Sequence, residues 1–214
     1  MTHPSVPVEL AVAEDSAEET GDRFWQPISS TFGNSDIAWL ESRVGVRLPE
    51  VYTEFLKYKH FLEMRVGPVD FFRFAPATWR SDFEDEYSNW APERILGTGL
   101  VPFGLECFAE AGPVCFDTRI DCVKADYPVV FWDHEWVGTG QEVRPMFSSA
   151  SAMFRCLRSC VGGPTSGWFF HADEGESAEM TASKRQRLAE FLELDPNGAG
   201  GPARQYFTSW GIEP

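Results

Sequence analysis

Basic residues are scarce in this chain. Lys and Arg together number 18 against 33 Asp and Glu in 214 residues, a formal net charge of −15. A surface so acidic repels phosphate backbones, so direct nucleic-acid binding is not expected. Its natural complement is a basic protein. No apolar run approaches the ~20 residues that a membrane span requires, so no membrane partner is expected. Residues 1–22 contain neither Lys nor Arg and no long apolar stretch, which argues against a secretory leader. The five cysteines, Cys107, Cys115, Cys122, Cys156 and Cys160, are odd in number and form no CxxC pair. Neither a disulfide framework nor a zinc site is favoured, and the pattern fits a reducing cytoplasm.

Signatures of catalysis are missing too. There is no GxSxG elbow, no P-loop, no GxGxxG after a strand and no HExxH. The chain reads as a non-enzyme, with no catalytic residues, no metal site and no cofactor.

Large apolar groups are abundant, with 18 Phe and 8 Trp. That supply can bury a substantial core, and the length suits one domain. Residues 1–22 carry six acids, Glu9, Glu14, Asp15, Glu18, Glu19 and Asp22, with few large apolar residues. They read as a flexible acidic arm ahead of a single domain at 23–214.

Within that domain the hydrophobic period changes along the chain. Ile37, Leu40 and Val44 recur at helical spacing after Ser35, a candidate cap, and Gly45 stops the helix. Pro49 opens a second helix carrying Val51, Tyr52, Phe55 and Leu56 on its inner face, with Lys59 at its rim. His60 falls at that helix's end, where a cation suits the dipole. Period-two segments follow at Val69–Phe74, Leu100–Gly104, Pro113–Asp117 and Pro128–Trp136. Helices are predicted again from Ser148 or Ser149 to Val161, from Lys184 to Leu194 and from Pro202 to Trp210, with a turn at Asp195–Gly198. Helices, then strands, then helices is the α+β pattern: a central antiparallel sheet of about four to six strands with helices mainly on one side.

Two histidine clusters invite a chemical reading. Asp133–His134–Glu135 sets three potential ligands in a row, but in a strand His134 faces away from both carboxylates, so they cannot converge on one ion. His171, Asp173 and Glu174 lie in an acidic stretch that reads as a solvated loop. The more useful feature is Asp82, Glu84, Asp85 and Glu86, four carboxylates in five residues flanked by Phe83 and Tyr87. As a solvated loop it would be unremarked. As a binding patch it meets Lys and Arg groups of a partner, with Phe83 and Tyr87 as desolvated anchors between the charges. Trp90 is a further candidate anchor, and Asp133 and Glu135 complete the candidate partner-contacting set.

Several stretches in order resemble the SUKH superfamily, the Smi/Knr-like domain. IAWLESRVGVRLPEVYTEFLKYKHF at Ile37–Phe61 is similar to its N-terminal signature of a helix, a Gly, an apolar–Leu–Pro step and a second helix. LVPFG at Leu100–Gly104, GPVCFDTR at Gly112–Arg119 and YPVVFWDHEW at Tyr127–Trp136 resemble its successive strands. MFSSASAMFRCL at Met146–Leu157 resembles the helix that follows. The likeness covers roughly residues 35–162. It departs at Leu105–Glu110, where many members carry a Gly-rich turn. The resemblance implies an interbacterial immunity protein, an antitoxin-like inhibitor that binds and neutralises a cognate polymorphic or contact-dependent toxin. The acidic balance suits a basic, nucleic-acid-acting toxin. The alternative it leaves is a regulatory or scaffold module of the same fold with no toxin partner.

Overall fold

A computed structural model describes residues 28–60, 64–72, 74–89, 95–106, 112–160 and 178–208. The opening arm at 1–22 lies outside them.

The first helix, α1 (Asn34–Val44), starts two residues earlier than a Ser35 cap would place it. Gly33 is the cap: its N–H donates to Asp36 Oδ2 at 2.9 Å, and its carbonyl accepts from Ile37 N–H. Gly45 ends the helix in the left-handed region at φ 75°, a conformation that costs glycine little. Glu41 then accepts Leu48 N–H at 2.9 Å and fixes the tight link. Pro49 is the cap of α2 (Glu50–Tyr58) rather than its first helical residue. Tyr52, Phe55 and Leu56 on α2 are buried, each worth ~2 kcal/mol of apolar transfer.

Lys59 does not extend that helix. Lys59–His60 form a short strand, β2, antiparallel to β1 (Ile28–Ser29). His60 is buried and neutral, not a helix-end cation. The Phe74 carbonyl can only accept, so Nδ1 carries the proton, at 3.1 Å. Nε2 is then the acceptor for Thr31 N–H at 2.9 Å. Burial pushes the His60 pKa down, against a smaller upward pull from the Phe74 carbonyl and Asp36.

The main sheet has six strands, β3 (Met64–Val66), β4 (Val69–Phe71), β5 (Leu100–Glu106), β6 (Pro113–Asp117), β7 (Val129–Trp132) and β8 (Val143–Phe147). Every neighbour is antiparallel, and the spatial order is the chain order. Three prolines lie in strands, each where a missing N–H is tolerated, and Pro113 is the first residue of β6. Pro102 sits at a register shift in β5, and Pro145 lies on the edge strand β8. Beside that shift the backbones of β5 and β4 approach so closely that a Cβ on Gly104 would stand 2.6 Å from the Asp70 carbonyl oxygen.

Alternate strand residues bury one face under the helices. Val69, Phe71, Val101, Phe103, Val114, Phe116, Val129 and Phe131 join the large core. Its centre is aromatic: Phe103 stacks on Phe116 at 4.1 Å, and Phe55 meets Phe71 and Phe154 at 5.0 and 5.2 Å. The opposite face holds a smaller cluster of Leu100, Cys115, Val130 and Trp132 with Ile95. This is the expected α+β arrangement, at the upper end of the expected strand count.

Four more α-helices lie among the described residues: α3 (Trp79–Asn89), α4 (Ala150–Cys160), α5 (Ala178–Leu194) and α6 (Arg204–Thr208). α5 begins at Ala178, six residues before the Lys184 start that the sequence predicts. Buried Asp195 follows α5. It accepts Ser148 N–H and Ala199 N–H and bonds the Ser148 hydroxyl, tying the α5–α6 turn to the start of α4.

Candidate partner interface

The acid-rich segment is a helix, not a loop. Trp79, Phe83 and Tyr87 recur every fourth residue of α3, so one stripe faces inward. All three are buried in the main core. Phe83 stacks on Tyr87 at 4.1 Å and meets Trp39 of α1 edge-on at 5.9 Å. Phe83 and Tyr87 therefore cannot serve as exposed anchors between the charges. The spacing that reveals this is present in the sequence, but the surrounding carboxylates mask it.

The four carboxylates part company on the helix. Asp82 Oδ2 accepts the Thr78 hydroxyl at 2.9 Å and Ala75 N–H at 3.2 Å, fastening the turn into α3. Glu84 pairs with Arg43 of α1 at 2.6 Å. Both partners are largely exposed, so the pair adds little stability. Asp85 is exposed. Glu86 is half-buried, and its pKa is pushed up first by burial and then by Asp70, Asp85 and Asp82. Asp85 and Glu86 thus mark the negative part of this helix. In the first turn of the helix Arg80 pairs with Asp36 at 2.9 Å and lies over Trp79 and Trp39. Trp90 lies outside the described residues.

The second candidate group is also rearranged. β7 ends at Trp132, and His134–Trp136 form a 3₁₀ turn, so strand alternation does not extend through His134. Asp133 is buried because it caps that turn: Oδ1 accepts Glu135 N–H at 3.1 Å, while Oδ2 faces Arg144 of β8 at 3.4 Å. Its carboxylate is held by its own chain. Glu135 and His134 are exposed. His171, Asp173 and Glu174 lie outside the described residues. Among the described residues, no group of three His, Cys, Asp or Glu is placed to hold a metal ion. No helix among them is long and apolar enough to cross a membrane.

The connection from β6 to β7 carries no motif that marks it in the sequence. Here Ile120 is 50% exposed and Val123 is 87% exposed. Lys124 and Ala125 both have positive φ, 58° and 55°, a region that non-glycine residues adopt at a cost of about 1 kcal/mol or more. The loop is nevertheless well fastened. Ala125 N–H donates to the Cys122 carbonyl, Asp126 N–H to that of Val123, and Asp126 Oδ1 accepts Ser151 N–H at 2.8 Å. A groove of about 360 Å³ runs between Val123, Lys124 and Asp126 on one side and Glu50, Val51 and Glu54 of α2 on the other. The signal was two β-branched residues in a polar stretch that fits neither helix nor strand spacing.

A family model described as the SMI1 / KNR4 family (SUKH-1) matches residues 33–156, more than half of the chain. The match begins at the Gly33 cap and ends inside α4, so it takes in the whole six-stranded sheet. No curated protein and no solved structure matches the chain.

Proposed function

Because this chain belongs to the SMI1 / KNR4 family (SUKH-1), we propose that it is an immunity protein. It binds a cognate toxin domain in a stoichiometric complex and blocks it without catalysing a reaction. Family membership is the observation that carries this reading, and the charge of −15 supports a basic partner.

The physical logic is competition. A toxin that acts on nucleic acid needs a basic cleft to hold phosphates. An acidic protein seated in that cleft is attracted over distance, associates quickly and excludes the substrate. Asp85 and Glu86 on α3, with exposed Glu135 beyond β7, are the carboxylates of the candidate set that neither pair with a cation nor accept a hydrogen bond among the described residues. Glu84 can exchange Arg43 for a partner's cation, since an exposed pair is worth only about 0–1 kcal/mol.

The test is co-expression with the product of the gene adjacent to its own. The expected result is a single eluting complex and growth of cells that the partner alone kills. Absence of both complex and rescue would overturn the immunity reading.

A further inference from the structure

The outer face of α3 has charge but no apolar anchor, since Phe83 and Tyr87 point inward. Tight interfaces centre on desolvated apolar side chains inside a polar rim. The β6–β7 connection has that composition. Val123 and Ile120 project from it, and Val123 lines the groove with Glu50, Glu54 and Asp126. Asp121 adds a further carboxylate two residues from Val123. Burial raises the Cys122 thiol pKa, and Asp126, Asp121 and Asp117 raise it further, so the loop lies in a negative field.

We infer that this connection is a docking surface for a basic protein, with Val123 entering an apolar pocket flanked by the partner's Lys or Arg groups. The inference rests on the reading of the chain as a binding protein and names the surface it uses. A lone exposed valine would need no explanation. Here two apolar residues lie within four positions on a fastened loop. The turn at Lys124 and Ala125 buries Ala125 and leaves Val123 outside. A fastened loop loses little freedom on binding, which favours affinity.

Charge selects the occupant. A second copy of this chain, docking symmetrically, would bring two acidic rims together. Nucleic acid would be repelled. A basic protein surface meets Glu54, Asp121 and Asp126 favourably. Lys124 already pairs with Glu50 at 3.4 Å, both largely exposed, so an incoming cation can replace it.

The experiment titrates the purified adjacent-gene product with the full chain and with Val123→Ser, Glu54→Lys and Val137→Ser. Val137 is an exposed control in the β7–β8 connection. All three sites avoid the core, and unchanged thermal melting confirms folding. Val123→Ser should raise Kd at least about tenfold, Glu54→Lys should slow association, and Val137→Ser should stay within about twofold. Tight binding unaffected by Val123→Ser would overturn this surface and leave the immunity reading intact. If the wild type does not bind that probe, the immunity reading fails, and a photo-crosslinker at position 123 in the source cells decides the surface. A crosslink to one identified basic protein, lost in Glu54→Lys, sustains it. A crosslink to a second copy, or none, overturns it.

Discussion

Asp195 holds Ser148 at two points, accepting its backbone N–H at 2.8 Å and bonding its hydroxyl, across 47 positions of sequence. The same carboxylate accepts Ala199 N–H. One buried side chain therefore joins the end of the sheet, the start of α4 and the turn after α5. Asp195→Ala should cost ~3 kcal/mol, because buried donors lose their acceptor. Urea unfolding measures it; a loss below 1 kcal/mol would contradict this role.

Gly198 makes the same junction possible. A Cβ there would lie 2.1 Å from Ser148 N and 2.3 Å from Asp195 Oδ2. Gly198→Ala should destabilise by about 1–3 kcal/mol. Gly45 is a useful contrast. Its added Cβ meets nothing, so Gly45→Ala pays only for the positive φ. Equal losses from the two variants would argue against crowding at Gly198.

His60 makes folding sensitive to acid. Burial lowers its folded pKa below the ordinary 6.5. The unfolded chain therefore takes up a proton first as pH falls. The contribution of neutral His60 is fully present above about pH 6.5 and is lost as pH drops toward the lowered folded value. Chemical denaturation from pH 8 to pH 5 should show this loss, and His60→Gln should flatten it. A wild-type profile that His60→Gln leaves unchanged would assign the acid sensitivity elsewhere.

Glu86 has the opposite sign. Its folded pKa is raised by burial and by Asp70, Asp85 and Asp82, so folding disfavours its ionised form. Glu86→Gln should stabilise at pH 7 by ~0.5 kcal/mol, the small size reflecting solvent screening at a half-exposed site. That gain should vanish as pH falls below the ordinary 4.5. If α3 meets a basic partner, the same variant should slow association and flatten its salt dependence. A partner whose on-rate ignores Glu86 does not use this helix.

The strained loop offers a separate test. Lys124→Gly removes a Cβ from a residue at φ 58°, ψ 23°. The relief, set against a more flexible unfolded chain and a weak ion pair, should leave a net gain of up to ~1 kcal/mol. A loss would show that the Glu50 pair matters more than the backbone.

Much of this fold was legible because strong local signals agree with tertiary packing. Gly45 ends the first helix and Pro49 opens the second, and Pro113–Asp117 has the expected strand bounds. The misses have physical causes. β8 was hidden because Pro145 argues against a strand, and only its place at the sheet edge makes that proline tolerable. α3 was hidden because charge density outweighed the four-residue recurrence of Trp79, Phe83 and Tyr87. Asp133 looked like a surface carboxylate because nothing local foretells Arg144 opposite it or a turn directly after Trp132. Candidate sites suffer most, since exposure is decided by neighbours distant in sequence.

The sheet's spatial order copies its chain order from β3 to β8. During translation, each strand therefore emerges to find its neighbour already made, and no strand waits for one from a distant part of the chain. The neighbours can pair in sequence, each across its own connection, the longest being the one from β4 to β5 that carries α3. The Asp195 clasp on Ser148, the Tyr206–Glu106 hydrogen bond and the packing of Phe191 and Phe207 on Phe147 need the later helices. A nascent chain released from the ribosome at Phe147 would already hold every strand of the sheet, with its last helices left to seal it.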